Sequence, residues 1–473
     1  MSDRSDRLPT PAPDAPKRPR GPRSRRRSDG SGSASPALPL APAARHGRLR
    51  RGRATAFVLK YVAVAVAVLL VSGVSVGAIA VHRLTSQLGP GVALQGEKTQ
   101  IAKAKDDNIV TGVGAYDGGF NVLIVGTDND AKQGDAFGVR DATLNDVNIL
   151  LHVSADHQNA TAVSIPRDLV VPIPSCPKTD GSGSYSAMSA QPLNNAYSYG
   201  GLNCVVQTVK SLTGVDIPFA GLISFNGVIE MTNAIGGVPV CVNKPITDRY
   251  TGLKLAAGTT TLQGGDALAF LRSRHGVGDG SDLGRISSQQ VYLSSMLRTI
   301  KSGGVLGSPT KLFKLASAAT QNMSLSNSLN NVSTMIEIGL ALKDLPLGNV
   351  NFVQYPGSTG GTGVYSGKVK PDTYTAGLLF DAIKNDQPFT IPKGSTGVGS
   401  VDETAGEAAG AAGGAAAGAA AGAATTSPTA GAGAGAATTT PTDGATASSG
   451  ASTISGLTGQ TAADQTCSVA YKF

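Results

Sequence analysis

The sequence predicts an α/β domain with a central mixed sheet covered by helices on both faces, preceded by one transmembrane helix and followed by a disordered tail. Residues 61–81 carry no charge, short β-branched runs alternate with helical patterns up to residue 392, and the chain beyond is mostly Ala, Gly, Thr and Ser. Alternating strands and helices favour a sheet covered on both faces. The predicted boundaries are 1–56 for a basic cytoplasmic disordered tail, 57–81 for the transmembrane helix, 82–115 for an extracytoplasmic linker, 116–392 for the domain and 393–473 for the disordered tail.

The N-terminal residues predict a cytoplasmic tail and a signal-anchor. The first 53 residues hold fourteen Lys or Arg against four Asp or Glu, and they are rich in Pro and Ser, which predicts disorder. The uncharged run is long enough to cross a hydrocarbon core, and it is too long for a simple signal peptide. By the positive-inside rule, the chain after residue 81 lies outside. No DNA-reading motif accompanies the basic tail, so we expect it to contact membrane lipid and no nucleic acid.

The elements of the domain follow from residue periodicity. Short β-branched runs predict buried strands at residues 121–126, 147–154, 161–165, 219–225, 238–242 and 349–355. Helical spacing predicts helices ending at Gly214 and at Gly236, and others at residues 309–320, 330–345 and 374–385. A further helix follows Leu283; its predicted buried stripe is Ile286, Leu293, Leu297 and Ile300, while Arg285 and Gln289 point together elsewhere.

Residues 266–289 carry three arginines around a glycine-rich loop. Arg272 and Arg274 would share one face of an extended segment, and Arg285 begins the next helix. Guanidinium groups bind phosphate oxygens bidentately and stay charged at any physiological pH. Three of them converging would suit a ligand with more than one phosphate. The alternative is a solvated basic loop that pairs with nearby acids.

Charged residues also gather at the predicted strand ends. Asp128 follows the first strand, Asp141 and Asp146 precede the second, and Arg167 and Asp168 follow the third. Ligands in such sheets bind at strand ends, and carboxylates there suit Mg²⁺ bridging phosphate oxygens. Each residue also has an ordinary structural alternative: a turn cap, a loop acid or an ion pair.

Other catalytic patterns are missing from the sequence. It has five histidines without paired spacing and no Walker P-loop, and its one Gly-x-Ser-x-Gly match, at residues 73–77, lies inside the uncharged run and not in the domain. These absences disfavour a zinc enzyme, an acyl hydrolase and an ATP-dependent enzyme.

The four cysteines fit an exported protein. The preferred pairing is Cys176 with Cys204, which closes a Gly/Ser-rich loop. Two alternatives stay open for Cys241, in a predicted strand: it is a buried free thiol, or it pairs with Cys467, which requires the tail to return to the domain.

Several motifs in order resemble those of the LytR-CpsA-Psr (LCP) family, membrane-anchored ligases of bacterial cell-wall glycopolymers. The composition and tail are similar to those of actinobacterial members. The resemblance spans about residues 120–300. It rests on Asp146 and on VGTD at 125–128, VSIPRD at 163–168, LNNAYSYGG at 193–201, FNGV at 225–228, AIGGV at 234–238, AFLRSRH at 269–275 and DLGRISSQQ at 282–290.

The resemblance implies an LCP-like α-β-α fold and a site for a polyprenyl-pyrophosphate head group, with the lipid in an apolar tunnel. The family's Mg²⁺ ligands match Asp128 and Asp146, and we add Asp141 as a metal candidate. The candidate catalytic residues are Arg167, Arg272, Arg274, Arg285 and Asp168, and the candidate substrate-binding residues are Arg140, Gln289 and Asn194.

Two positions depart from the family pattern. The family commonly has Arg-Ser-Asp where this chain has Leu144 and Asn145 before Asp146. Either Arg140 reaches in from the preceding loop, or that contact is lost. The family's lysine before the Asn-x-Ala-Tyr run is also absent, with Pro192 in its neighbourhood.

The predicted function is an extracytoplasmic Mg²⁺-dependent phosphotransferase, anchored in the cell membrane by a single pass. It would move a glycopolymer from a polyprenyl-pyrophosphate carrier to peptidoglycan, with pyrophosphatase as a side activity, and with Asp141 or Asp168 as candidate general base. The alternative is a non-catalytic protein that binds or scaffolds polyprenyl lipid or wall polymer. Transcriptional attenuation would need a cytoplasmic DNA-reading domain, which the first 53 residues do not provide.

Overall fold

The computed structural model describes residues 51–96, 116–129, 143–302, 309–403 and 451–471. The chain divides into two compact units between Leu69 and Leu70. The described part of the first unit, residues 51–69, is helical. The predicted basic tail up to residue 50 and most of the predicted linker, residues 97–115, lie outside the described residues.

The first helix, α1 (Arg51–Gln87), contains the predicted membrane span. The described large apolar side chains between Phe57 and Ile79 are exposed. The span itself is not confirmed, since no helix in the described part of the chain has both the length and the apolarity needed to cross a membrane.

The remaining elements alternate between strands and helices. The helices are α2 (Ala196–Thr213), α3 (Phe225–Ile235), α4 (Gly264–Arg272), α5 (Asp282–Ser302), α6 (Pro309–Asn322), α7 (Val332–Lys343) and α8 (Thr373–Lys384). The strands are β1 (Phe120–Thr127), β2 (Asn145–Val153), β3 (Ala160–Ser164), β4 (Val170–Ile173), β5 (Cys176–Pro177), β6 (Ser184–Tyr185), β7 (Met188–Pro192), β8 (Phe219–Ile223), β9 (Val238–Val242), β10 (Ile246–Asp248), β11 (Leu253–Leu255), β12 (Gly258–Leu262), β13 (Met323–Leu325), β14 (Val350–Gln354), β15 (Gly357–Ser358), β16 (Lys370–Pro371), β17 (Phe389–Thr390), β18 (Ser400–Asp402), β19 (Ser452–Thr453), β20 (Thr458–Thr461) and β21 (Thr466–Ser468).

A seven-stranded mixed sheet forms the centre of the second unit, in the order β13-β8-β1-β2-β3-β14-β20. Strand β1 is parallel to β8, and β3 is parallel to β14, while the other neighbours are antiparallel. The predicted central mixed sheet is therefore confirmed.

Alternate side chains of the sheet enter two separate hydrophobic cores. Leu123 and Val125 of β1 pack in a core that includes α2 and α8. Phe120 and Val122 belong to a second core, with residues of α5 and α7. Because side chains alternate along a strand, both faces of the sheet are buried under helices, as predicted.

Helix α5 is buried on two sides. Leu293 and Leu297 pack against the core shared with α7, while Val291 and Tyr292 belong to a third core with strands β9 and β12. These strands form a second sheet, in the order β12-β9-β21-β18. The prediction of a single buried stripe is wrong here, because helix α5 contributes side chains to the cores of both sheets.

The predicted disordered tail is wrong for residues 393–403 and 451–471. These residues supply β18, β20 and β21, and β20 extends the central sheet by pairing with β14. Their polar sequences suit strands because each strand needs only one partly apolar face, and Thr favours strands. The Ala/Gly-rich residues 404–450 lie outside the described part.

Candidate functional site

The ends of β1 and β2 place two of the predicted aspartates. Asp128 follows β1, is 2% exposed, and its Oδ1 accepts a hydrogen bond from the Leu144 N–H (3.0 Å). Gly126 pairs with Val147 and Thr127 with Asn145, so Asp146 is the extra residue of a β-bulge. A bulge re-aims a side chain without ending the strand. It gives Asp146 a place outside the regular ladder at the sheet end.

Arg167 joins the end of β3 to helix α5. Its Nη1 lies 2.6 Å from Oδ1 of Asp146, and its backbone N–H donates to Oδ2 of Asp282 (3.1 Å). Its Nε lies 3.6 Å from Asp168 and 3.8 Å from Asp282, beyond hydrogen-bond distance. Arg167 is thus surrounded by three carboxylates.

Arg285 is held in the first turn of α5. Its Nη2 lies 2.7 Å from Oδ1 of Asp282 and donates to the backbone carbonyl of Asp146 (2.7 Å). The residue is 5% exposed. Arg167 and Arg285 therefore both contact Asp146 at the bulge. Arg167 contacts its carboxylate, and Arg285 contacts its backbone carbonyl.

Arg274 approaches the same group from the loop after α4. Its Nη2 lies 3.7 Å from Oδ2 of Asp168. Its backbone N–H donates to Oδ2 of the buried Asp248 (3.2 Å), which also accepts from the Ser273 hydroxyl (2.7 Å). Asp248 therefore fixes the backbone from which Arg274 extends.

Asp168 contacts three cations. Besides Arg167 and Arg274, it accepts a hydrogen bond from Lys368, whose Nζ lies 2.9 Å from Oδ1. Burial raises the pKa of Asp168, but the Lys368 hydrogen bond and the charges of Arg167, Lys368 and Arg274 outweigh it and hold the pKa below its ordinary value. Asp168 is therefore a carboxylate at neutral pH.

The arginines differ in their electrostatic balance. Burial lowers the pKa of Arg167, but the carboxylates of Asp146, Asp282 and Asp168 outweigh it, and the pKa is raised. For Arg274, burial and the charges of Arg167 and Arg285 lower the pKa despite Asp282 and Asp168. Both stay charged, since guanidinium does not deprotonate in proteins. A negative ligand would relieve the repulsion at Arg274.

The arginine cluster, defined as Arg167, Arg274 and Arg285, leaves three donors unused. The Nε of each is buried and has no hydrogen-bond partner among the described residues. Buried donors are nearly always satisfied, and an orphan needs an explanation such as an absent ligand or water. The cluster therefore has the donors and the charge to bind an anion.

Three predicted residues make other contacts. Arg272 ends helix α4, so the expected extended segment is wrong, and its guanidinium carbon lies 4.3 Å from the centroid of the Phe225 ring. The Gln289 amide donates to the Leu271 carbonyl (2.7 Å). The backbone N–H of Asn194 donates to the Arg167 carbonyl (3.0 Å), so Asn194 supports the chain at the cluster. Arg140 and Asp141 lie outside the described residues.

Three residues of the site are not among those predicted from the sequence. Asp282 contacts two arginines, and an acid three residues before Arg285 at a helix start was a usable signal. Lys368 arrives from the segment before β16, 200 residues after Asp168, and no local pattern indicates it. Asp248 ends the short strand β10, 26 residues before Arg274, and no local pattern indicates it either.

The carboxylates of Asp128 and Asp146 are the described candidates for a metal ion. Oxygen donors at adjacent strand ends fit a hard divalent cation by the chemistry of the donor set. Among the described residues, one group of three side chains of the kinds that bind metals lies close together, namely Cys241, Glu403 and Cys467. Its two sulfurs are joined in a disulfide, so they are not available as thiolate ligands.

Both pairs of cysteines form disulfides. Cys176 joins Cys204, the pairing preferred from the sequence. Cys241 joins Cys467, so of the two alternatives left open by the sequence the structure has the disulfide and not the free thiol. The reason is that β21 returns and pairs with β9, which sets the two cysteines opposite each other.

A large cavity of about 1090 Å³ occurs elsewhere in the second unit. Its lining includes residues of β14, β17 and β20, among them Asn351, Phe389 and Gln460, and none of the arginine cluster. The charged site is therefore distinct from this cavity.

Comparisons with known proteins identify a family for this chain. The LytR_cpsA_psr family model matches residues 91–376. The Corynebacterium glutamicum cell wall biosynthesis protein LcpA is 30% identical over 332 residues, 65% of this chain and 61% of that protein. The chain thus spans less than two thirds of LcpA. The Bacillus subtilis polyisoprenyl-teichoic acid–peptidoglycan teichoic acid transferase TagT is 27% identical over 310 residues, 64% of this chain and 87% of that protein. The structure of TagT bound to LI-WTA matches with a TM-score of 0.43 and 23% identity, covering 62% of this chain and 98% of that one.

Proposed function

Because this chain belongs to the LytR_cpsA_psr family, we propose that it is an exported phosphotransferase that moves a glycopolymer from a polyprenyl-pyrophosphate carrier to peptidoglycan. The name of TagT couples a polyisoprenyl carrier to peptidoglycan, which supports this substrate class. The match to the family model shows the family membership, and from it we propose the substrates and the activity of this chain.

The observation that carries the proposal is the set of three buried, unused Nε donors on Arg167, Arg274 and Arg285. A pyrophosphate diester offers several anionic oxygens within a few ångströms of one another. Guanidinium forks match such oxygens bidentately. Arg274, whose pKa is lowered by burial and by neighbouring arginines, gains most from that ligand.

The reaction is a displacement at phosphorus. A hydroxyl oxygen of the acceptor forms a bond to the phosphoryl group that carries the glycopolymer, and the bond from that phosphorus to the bridging oxygen breaks. The lipid monophosphate leaves, and the hydroxyl proton passes to a base. Charge grows on the leaving phosphate, so fixed guanidinium groups beside it stabilise the transition state more than the ground state.

The cluster is organised before the ligand arrives. Asp146, Asp168 and Asp282 hold the arginines by ion pairs and hydrogen bonds. Because the arginines are already oriented and partly desolvated, little reorganisation accompanies binding or transfer. Mg²⁺ held by Asp128 and Asp146, with Asp141 as a further candidate, would neutralise phosphate oxygens when bound.

Asp168 is poorly suited to be the general base. Three cations contact its carboxylate, and its pKa lies below the ordinary value. A base needs a pKa near the operating pH. Of the two candidates from the sequence, Asp141 is left for that role.

Membrane anchoring completes the proposal. The uncharged residues 61–81 follow a strongly basic segment, and the described large apolar side chains between Phe57 and Ile79 are exposed. A basic flank on the N-terminal side favours a cytoplasmic N-terminus and an exported domain. This location would place the cluster beside a lipid-linked substrate.

Replacing Arg274 tests the proposed chemistry. We expect Arg274→Ala to lower the turnover of geranylgeranyl pyrophosphate, a short polyprenyl-pyrophosphate probe, by on the order of a hundredfold. Arg274→Lys should rescue poorly, because an ammonium cannot reproduce the bidentate fork. Release of phosphate with the full-length protein, in the presence of Mg²⁺, is the measurement.

Arg249→Ala is the matched control, since Arg249 is exposed and contacts its neighbour Tyr250. It should leave turnover near wild type. Turnover retained in Arg274→Ala would contradict the proposed role. A wild-type protein that binds the probe but never turns it over would favour the alternative, a non-catalytic lipid-binding protein.

A further inference from the structure

The last described residues of the chain run beside the loop that connects Arg274 to Arg285. Gly278 donates its N–H to the Val469 carbonyl (2.8 Å), and the Tyr471 N–H donates to the Gly276 carbonyl (2.9 Å). Val277 and Ala470 form an antiparallel bridge. Residues 469–471, called here the C-terminal segment, therefore pair with the loop as a short strand would.

The C-terminal segment is itself firmly anchored. It continues β21, which pairs with β9 and β18 and is joined to β9 by the Cys241–Cys467 disulfide. Asn243 makes two hydrogen bonds here. Its N–H donates to the carbonyl of Ser468, the residue before the segment (3.0 Å), and its Oδ1 accepts from the Ala470 N–H within the segment (3.1 Å). The C-terminal segment is thus held in place by the second sheet, and its backbone can hold the loop by hydrogen bonds.

The loop is rich in glycine and is held only partly by its own bonds. Gly276, Gly278, Gly280 and Gly284 occur within nine residues, and Gly278 and Gly280 have positive φ (57° and 78°). Its internal bonds include Val277 N–H to the Arg274 carbonyl (3.3 Å), Gly280 N–H to the Val277 carbonyl (3.1 Å) and Ser281 N–H to Oδ1 of Asp279 (3.0 Å). Glycine has the greatest backbone freedom to lose on folding. The bonds that Gly276 and Gly278 make to the C-terminal segment therefore add to the loop's own bonds in fixing its conformation.

We infer that the C-terminal segment positions the loop between Arg274 and Arg285, and so sets the spacing of these two arginines for the substrate. The inference rests on the proposed function and adds residues 469–471 to it as positioning residues. They contact the loop backbone, and the arginines contact the ligand. A displacement of about 1 Å at a charged site can cost about a hundredfold in rate.

A truncation separates positioning from folding. A chain ending at Ser468 keeps β21 and the Cys241–Cys467 disulfide and loses only residues 469–473. The control ends at Tyr471 and keeps all the described contacts. We expect the chain ending at Ser468 to show faster hydrogen exchange at residues 276–284. Its turnover of geranylgeranyl pyrophosphate should fall about a hundredfold, and its affinity for inorganic pyrophosphate about tenfold, with an unchanged melting temperature.

A pair of substitutions isolates one backbone bond. Tyr471→Pro removes the N–H that donates to Gly276, whereas Tyr471→Ala keeps it. Both lose the ring that lies against Gly280. We expect faster exchange at the loop and lower turnover in Tyr471→Pro than in Tyr471→Ala.

The outcomes distinguish this inference from the proposed function. A wild-type protein with no turnover and no pyrophosphate binding would overturn the proposed function, while loop exchange would still report on the contact. Wild-type turnover with unchanged loop exchange in the chain ending at Ser468 would overturn the inference. So would faster exchange accompanied by unchanged turnover. A melting temperature that fell in proportion to activity would also overturn it, because the segment would then serve stability alone.

Discussion

At the scale of single residues, the site is a group of cations held apart by carboxylates. Arg167, Arg274, Arg285 and Lys368 face Asp146, Asp168 and Asp282, four positive charges against three negative. Removing one partner of a buried pair costs more than the pair contributes, because a buried charge is left uncompensated. Asp168 and Asp282 each contact two arginines of the cluster, and the Asp146 carboxylate contacts Arg167.

Lys368 offers a test of this arrangement through pH. Lys368→Met should raise the pKa of Asp168, because the ammonium that holds it below its ordinary value is gone. A lowered pKa contributes stability above the unfolded pKa, and that stability is lost as pH falls through the folded pKa. We therefore expect wild type to exceed the variant by about 1 kcal/mol at pH 7. The gap should close toward pH 2, as followed by urea unfolding.

Lys370→Met is the control for this prediction, since Lys370 lies two residues away with its Nζ 5.9 Å from the centroid of the Tyr365 ring. It should show no such pH-dependent difference. A Lys368→Met gap that is constant from pH 2 to pH 7 would mean that Asp168 does not sense Lys368.

The residues of the arginine cluster could be predicted only where a local sequence motif marks them. Arg167, Arg274 and Arg285 lie in motifs beside strand and helix ends, and the structure brings them together. Arg272 was misplaced because α4 continues through it, and a helix turns it toward Phe225. Lys368 meets Asp168 through tertiary folding alone, so no local pattern could reveal it.

At the scale of elements, helix α5 is fixed by a contact between backbones. A Cβ at Gly399 would overlap the Gly284 carbonyl oxygen, and a Cβ at Gly278 would lie 3.1 Å from the Cα atoms of both Gly284 and Gly399, closer than ordinary van der Waals contact. Ser288 of α5 donates to the Gly399 carbonyl (3.2 Å). Close approach of this kind requires glycine. The segment before β18 therefore presses directly on the turn that carries Arg285.

Gly399→Ala should destabilise the protein, because neither backbone can yield without moving α5. We expect a loss of about 1–3 kcal/mol in the free energy of unfolding. Gly265→Ala is the control; it lies in α4 with nothing within 4 Å of the added methyl group, and Ala favours helices. Chemical denaturation of both variants gives the comparison. Equal stabilities would show that the contact can relax.

Most element types could be predicted from periodicity, but of the second sheet only β9, at residues 238–242, was predicted. The central strands carry β-branched runs long enough to recognise, such as β2. Strands β18 and β21 have three residues each and are polar in part, which is too short for a period to register. Helix α5 was expected to have one buried face because the strand predicted at residues 238–242 could not be placed against it from the sequence.

At the scale of the whole molecule, the proposed orientation places the charge of the first 53 residues in the cytoplasm and the site outside. An enzyme reporter active only in the cytoplasm, fused after Phe473, should be silent, while a reporter active only outside should be active. The reason is the bias of fourteen basic to four acidic residues before the uncharged run. A cytoplasmic signal from the fusion would overturn the orientation.

The predicted domain ends too early, at residue 392, because the Ala/Gly/Thr-rich composition was assigned to every residue from 393 to 473. The Ala/Gly-rich character belongs to residues 404–450, and the last described residues return to both sheets. A disulfide between Cys241 and Cys467, 226 residues apart, could not be inferred without knowing that return.

Because the chain returns to the domain after residue 450, residues 404–450 connect two parts of one domain and are not a terminal tail. The Glu403 N–H donates to the Gln465 carbonyl (2.9 Å), so the residue before this segment is bonded to the part of the chain that follows it. The cost of closing such an insert grows slowly with its length, by about 0.6 kcal/mol per doubling. Its length is therefore almost free to vary between related proteins. A protease cut within it would also leave both pieces joined through the Cys241–Cys467 bond, so a nicked molecule would keep its arginine cluster assembled.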